Sequence, residues 1–293
     1  KDNGRIKIIT GLRRSGKSVL LFQLYREWLL GEGVKEDQII ALALDILENA
    51  RYRNPLELDK YVRDHMVDPK KRYYIFIDEI QFVSEIQNPY VDNEDAKITF
   101  IDVILGFMHM DNADVYVTGS NSKFLSSDIV TEFRGRGDEI RIYPLSFAEF
   151  YAAFNGDYDD AWEEYMIYGG LPQVLQFSVE RQKAEYLKNI FTNVYIKDVV
   201  ERNKLRNVDE IDTLVDILAS AIGAPTNPTK ISNTFKSERG INYSNKTISN
   251  HIDYLVEAFL ISKADRYDIK GRKYVGANLK YYFSDVGLRN ARL

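Results

Sequence analysis

The sequence predicts an α/β protein: a P-loop core on a parallel sheet, then a small helical region and a winged-helix domain. Three observations predict it. In the first half of the chain, short β-rich apolar runs alternate with stretches of helical apolar spacing, which implies a parallel sheet covered by helices. The first of these runs leads straight into a glycine-rich loop that opens a helix. After Phe147 the strand signal vanishes, and beyond Pro225 the pattern reads helix, turn, helix, then short strands. The 293 residues suffice for one large domain or two modest ones. The expected division is 1–150 for the core, 151–224 for the helical region and 225–293 for the winged helix.

Residues 5–10 (RIKIIT) form the first expected strand. Residues 18–30 place Val19, Leu20, Leu21, Leu24, Trp28 and Leu29 at helical spacing. Residues 38–45 (QIIALALD) and 73–77 (YYIFI) read as buried strands, with a helix over 55–66 between them. A helix over 99–110 precedes a strand at 115–118, and 139–143 (EIRIY) alternates as a fifth strand would until Pro144 ends it. In such a sheet, ligands bind beyond the carboxyl ends of the strands. The polar clusters after the first, third and fourth strands lie there. Helices are expected over 159–168, 180–203 and 208–222, with Gly169-Gly170-Leu171-Pro172 as a turn. Pro225 and Pro228 mark a linker. Two more helices follow at 229–238 and 244–258, then strands at 260–264, 273–275 and 280–283.

Composition excludes several classes. There are no cysteines, which rules out disulfides and thiolate metal sites. The 3 histidines, His65, His109 and His251, show no metal-ligand spacing. No apolar run approaches the ~18 residues that a membrane helix needs. With no signal peptide visible, a cytoplasmic protein without membrane contact is expected. Lys at residue 1 and the abrupt end at Leu293 read as a piece of a longer protein. Charge is uneven: from residue 225 onward 12 Lys/Arg face 6 Asp/Glu, so this segment carries +6 and the remainder −11 of the overall −5. A basic segment on an acidic body suits a polyanionic partner.

Gly11-Leu-Arg-Arg-Ser-Gly-Lys-Ser18 fits G-x-x-x-x-G-K-[ST]. Its glycines let the backbone wrap phosphates with N–H groups aimed at the anion. The expected phosphate-binding residues are Gly11, Arg14, Ser15, Gly16, Lys17, Ser18 and Val19. Lys17 reaches the β- and γ-phosphates, and the Ser18 hydroxyl binds Mg²⁺. ATP and Mg²⁺ are thus the expected ligands. Asp78-Glu79 follows an apolar strand: Asp78 suits the second metal carboxylate, and Glu79 suits the base that deprotonates water. The pair, and the lack of an Asn-Lys-x-Asp motif, argue against a small GTPase. Asn121, with Ser120 as second choice, is the candidate γ-phosphate sensor, against plain turn chemistry for that cluster. Arg136, ahead of Arg134, is the candidate arginine that meets the γ-phosphate in its own or a neighbouring subunit. Arg13 and Arg14 are expected to pair with acids or partners rather than to act in catalysis.

Taken together, GLRRSGKS, FIDEIQ, TGSNS, the Gly135-Arg136 pair, YPLSFAEF and GGLP resemble one family. It is the AAA-type ATPase of bacteria and archaea whose proteins end in a C-terminal domain of unknown function. The likeness is densest over residues 5–175 and continues to the end of the chain. It implies a strand order 5-1-4-3-2, the nucleotide, magnesium, base and sensor roles at the positions named above, and a nuclease-like α/β domain after Leu293. Two readings of purpose stay open. One is an ATP-driven machine acting on nucleic acid or a protein partner, with DNA held by residues 225–293. The 244–258 helix, which carries Lys246 and His251, is the candidate recognition helix, and the candidate contacts are Lys246 and, in the wing, Lys270, Arg272 and Lys273. The other is a slow nucleotide-dependent switch or scaffold working through protein contacts, without DNA. A homo-oligomer fits either. A small-molecule kinase is a weaker third reading, opposed by Asp78-Glu79 and the appended winged helix.

Overall fold

Continuous apolar runs become the strands that are covered on both faces. The computed structural model describes residues 4–119, 137–205, 207–265 and 279–293. The chain forms two units: Lys1–Gly11 with Gly16–Ile142, and Leu12–Ser15 with Tyr143–Leu293.

The strands of the first unit are β1 (Ile6–Gly11), β2 (Ile39–Ala43), β3 (Tyr73–Asp78), the two-residue β4 (Ile86–Gln87) and β5 (Lys97–Ile98), β6 (Ala113–Thr118) and β7 (Gly137–Ile142). Five of them make one sheet in the order β2-β3-β6-β1-β7, and every pairing is parallel. Numbered along the chain and read from the β7 edge, this is the 5-1-4-3-2 order. β1 and β3 are buried at every position, as befits strands covered by helices on both sides. Period-two alternation sorts their side chains. Ile6, Ile8, Ile75 and Ile77 join Leu58, Val62, Ile104 and Phe107 of the helices Pro55–His65 and Phe100–Met108. Ile9, Tyr74, Phe76 and Tyr116 face Leu21 and Leu29. Those two leucines lie on the helical run after the glycine loop, which is α-helical over Lys17–Val19, π-helical over Leu20–Tyr25 and α-helical again over Arg26–Gly31.

The second unit is mainly helical. Phe147–Ala153 is a helix that the sequence reading leaves out; Ser146 and Glu149 form its capping box, which an S-x-x-E pattern signals. Tyr158–Tyr168 follows, capped by Asp157. The helix expected over 180–203 is Glu180–Ile190, a π-helical Phe191–Ile196 and Lys197–Arg202 in succession. Val208–Ser220 comes next. Pro228–Arg239 and Asn245–Glu257 make a helix–turn–helix, followed by the antiparallel pair β8 (Ile261–Ala264) and β9 (Lys280–Phe283). This element order is the one expected of a winged helix; the strand expected at 273–275 lies outside the described residues. Leu187, Phe191 and Leu214 share one apolar core with Phe235, Ile252 and Leu288.

Candidate nucleotide site

β1 ends at Gly11, whose φ is +133°. A Cβ there would lie 2.0 Å from the Ile142 carbonyl oxygen on the neighbouring β7, so the sheet itself demands glycine at the loop's entrance. At the exit, Gly16 is left-handed (φ 98°, ψ 10°) immediately before the helical turn. Arg14, at φ 61°, is also left-handed, an uncommon state for a side chain with a Cβ. Left-handed residues placed between others turn successive N–H groups to one side and create an anion-binding concavity. Lys17 is 5% exposed, and its Nζ donates to the Gly11 carbonyl at 3.0 Å. Ser15 is buried, and its Oγ has no hydrogen-bond partner. An orphaned buried hydroxyl costs free energy unless something arrives to meet it.

Beside the loop, the ends of β3 and β6 supply the acids and their support. Ser18 Oγ donates to Asp78 Oδ2 at 2.6 Å. The Thr118 hydroxyl donates to Asp78 Oδ1, and the Glu79 backbone N–H donates to Thr118 Oγ1 at 3.1 Å. Glu79 is left-handed (φ 52°, ψ 51°) where the chain leaves the strand. Gln81 Nε2 donates to the Glu79 carboxylate. Among the described residues, no group of three or more His, Asp or Glu gathers to hold a metal alone. Magnesium takes one or two protein oxygens and completes its shell with waters and phosphate. Ser18 and Asp78 fit it.

The structure therefore gathers Gly11, Gly16, Lys17, Ser18, Asp78 and Glu79 at the carboxyl ends of β1 and β3, with Arg14 and Ser15 in the loop between the two glycines. Val19 keeps its side chain 47% exposed. Asn121 and Ser120, Arg134 and Arg136 lie outside the described residues, as do Lys270, Arg272 and Lys273. Lys246 is exposed on its helix. His251, on the same helix, is not available to DNA. It is 6% exposed and hydrogen-bonded through Nδ1 to the Tyr243 hydroxyl, because its position falls on the core face beside Ile248, Ile252 and Leu255. Thr118 and Gln81 were not singled out from sequence. The signal for Thr118 is a hydroxyl closing an apolar strand next to the acid-bearing strand.

The parallel sheet and its glycine loop define a P-loop protein of the AAA type. The family described as "AAA domain" matches residues 3–151, and the chain belongs to it. A domain of unknown function (DUF8612) matches residues 159–293. An uncharacterized protein of Haemophilus influenzae is 38% identical over 294 residues, covering 99% of this chain and 69% of that protein. An uncharacterized protein of Methanocaldococcus jannaschii is 30% identical over 282 residues, covering 91% of this chain and 58% of its own length. Among solved structures, the Aeropyrum pernix ORC1 protein in complex with DNA is similar at 14% identity and a TM-score of 0.40, covering 98% of this chain and 86% of that one. Cdc6p from Pyrobaculum aerophilum is similar at 12% identity and a TM-score of 0.36, covering 94% and 83%. At these TM-scores the likeness carries no functional weight. Among the described residues, no helix is long and apolar enough to cross a membrane.

Proposed function

We propose that this chain binds ATP with magnesium and hydrolyses it to ADP and phosphate. The observation that carries this reading is the 2.6 Å hydrogen bond from Ser18 to Asp78. It brings the loop's hydroxyl and the strand-end carboxylate to one point, where a single metal ion would meet both. When bound, magnesium would supply neutralisation of the phosphate charge. The loop N–H groups of residues 11–19 hold the phosphates, and the Lys17 ammonium leaves the Gly11 carbonyl to offset their charge. Glu79 accepts the proton of the attacking water as the oxygen bonds to the γ-phosphorus and the bond to the ADP oxygen breaks. Its left-handed backbone costs about 1–3 kcal/mol, and such strain gathers at functional sites. In this reading Asn121 senses the γ-phosphate and Arg136 meets it in the transition state, in its own or a neighbouring copy.

The same reading keeps three functional parts, at 1–150, 151–224 and 225–293, the last a winged helix. It sets the work in the cytoplasm, coupled to remodelling of a nucleic acid or a protein partner. DNA contact is supported by the +6 charge of residues 225–293 and by Lys246, which stands exposed on the second helix of the helix–turn–helix. The alternative is a slow nucleotide switch acting through protein contacts. Phosphate release with and without duplex DNA tests both. Release by the wild type that is lost in Glu79→Gln supports hydrolysis, and acceleration by DNA supports the first purpose. Failure to bind ATP with magnesium in calorimetry would sink the reading.

A further inference from the structure

We infer that Tyr195 and Asp198 are positioning residues for the phosphate loop: they hold the tip at Arg13 so that the following N–H faces the nucleotide's phosphates. The inference rests on the ATP-binding reading and adds to it a determinant nearly two hundred residues from the loop.

The tip of the loop, Leu12–Ser15, packs within the second unit. Leu12 is 1% exposed and sits in that unit's core with Leu171, Val174 and Val199. Arg13 is then gripped twice. Its backbone carbonyl accepts a hydrogen bond from the Tyr195 hydroxyl at 2.9 Å. Its guanidinium lies 3.7 Å from Asp198 Oδ1, and the other oxygen of Asp198 is held by Arg202 at 2.8 Å. Tyr195 and Asp198 are three residues apart on one continuous helical run, which sets them on the same face.

The geometry of the peptide unit turns this grip into a directional statement. In a planar trans peptide, C=O and N–H point in opposite directions. Fixing the Arg13 carbonyl on Tyr195 therefore fixes the Arg14 N–H on the opposite side of the peptide, away from Tyr195. Arg14 has φ 61°, a state that persists where the surroundings over-determine it. The two grips on Arg13 and the burial of Leu12 supply that determination. Tyr195 is suited to the task. It is 3% exposed, and burial pushes its phenol well above the usual value, so it remains a donor at any physiological pH. A loop already shaped for anions binds them without first being ordered. By linkage, phosphate binding must in return stabilise the helical segment that holds the loop.

Calorimetry with ATP·Mg²⁺ and with magnesium tripolyphosphate on Tyr195→Phe and Asp198→Asn tests the inference. Tyr195→Phe keeps the ring in the core and removes one hydrogen bond. Both probes should weaken alike by about 3- to 10-fold, the scale of one such bond, since the loop reads phosphates and not the base. Asp198→Asn should weaken them in the same direction. A role in packing alone would lower the unfolding midpoint and leave both affinities unchanged. The wild type gives a second readout that needs no variant: ATP·Mg²⁺ should slow amide exchange over residues 191–202. Unchanged affinities in both variants, or no change in exchange over that segment, would overturn the inference while leaving ATP binding standing. A wild type that binds no ATP would remove both.

Discussion

The backbone N–H of Glu79 donates to the Thr118 hydroxyl at 3.1 Å, and that hydroxyl in turn donates to Asp78. One threonine thus ties the two acids at the end of β3 to the end of β6. It holds Glu79 in its left-handed backbone state with the carboxylate engaged by Gln81. Glu79→Gln keeps this frame and removes the proposed base. It should bind ATP·Mg²⁺ as the wild type does and slow turnover by about 10²- to 10⁴-fold, read as phosphate release under single-turnover conditions. Near-normal turnover would place the base elsewhere.

Lys17→Ala should abolish useful nucleotide binding. The ammonium is buried at the loop and rests on the Gly11 carbonyl, so its removal leaves phosphate charge that the backbone N–H groups alone do not offset. Calorimetric titration with ATP·Mg²⁺ decides this, and an unchanged affinity would count against the P-loop assignment.

Arg136→Ala should slow hydrolysis and leave binding nearly unaltered. An arginine that meets the γ-phosphate mainly in the transition state acts on rate, by up to about 10³- to 10⁵-fold. If it acts between subunits, mixing Arg136→Ala with Lys17→Ala chains should restore some activity. One site of the mixed assembly then has both residues intact. A variant as fast as the wild type would demote Arg136 to a loop residue.

Gly169→Ala should destabilise the second unit by more than about 1 kcal/mol. Gly169 has φ +75°, and an added Cβ would lie 2.2 Å from Asp285 Oδ1. Asp285 cannot easily step aside, because its other oxygen accepts the Gly170 N–H at 2.7 Å and Oδ1 accepts the Leu288 N–H at 3.0 Å. Urea denaturation followed by circular dichroism measures the loss.

His251 should contribute stability to the second unit that is lost as pH drops from about 7 toward 5. Burial holds the His251 imidazole below its usual value of 6.5, and the charge of Glu210 only partly opposes this. Tyr243 and Tyr254 are its aromatic neighbours. Between the unfolded and the lower folded pKa, the unfolded chain binds more protons than the folded one, so stability is fully present above the unfolded pKa and is lost as pH falls. His251→Gln removes this titration. The penalty of that substitution should therefore shrink as pH is lowered, in denaturation midpoints taken at pH 8, 7, 6 and 5. A penalty independent of pH would mean that His251 is protonated alike in both states.

Sequence alone determined the parallel sheet, the phosphate loop and the Asp78-Glu79 pair. All three are local patterns: a buried parallel strand is apolar at every position, as β1 and β3 are, and a loop that wraps phosphate needs its glycines at set spacing. The helix at Phe147–Ala153 was equally legible through Ser146 and Glu149, although apolar spacing over so short a stretch does not announce it. What only the tertiary structure decided are relations between residues far apart in the chain. Gly11 is demanded by the Ile142 carbonyl on β7, Asp78 is held by Ser18 and Thr118, and Arg13 is held by Tyr195. His251 lies on the candidate recognition helix, and it is buried because that helix turns its His251 face to the core. Periodicity says which residues share a face; which face is covered, and by what, depends on partners that the local pattern does not contain.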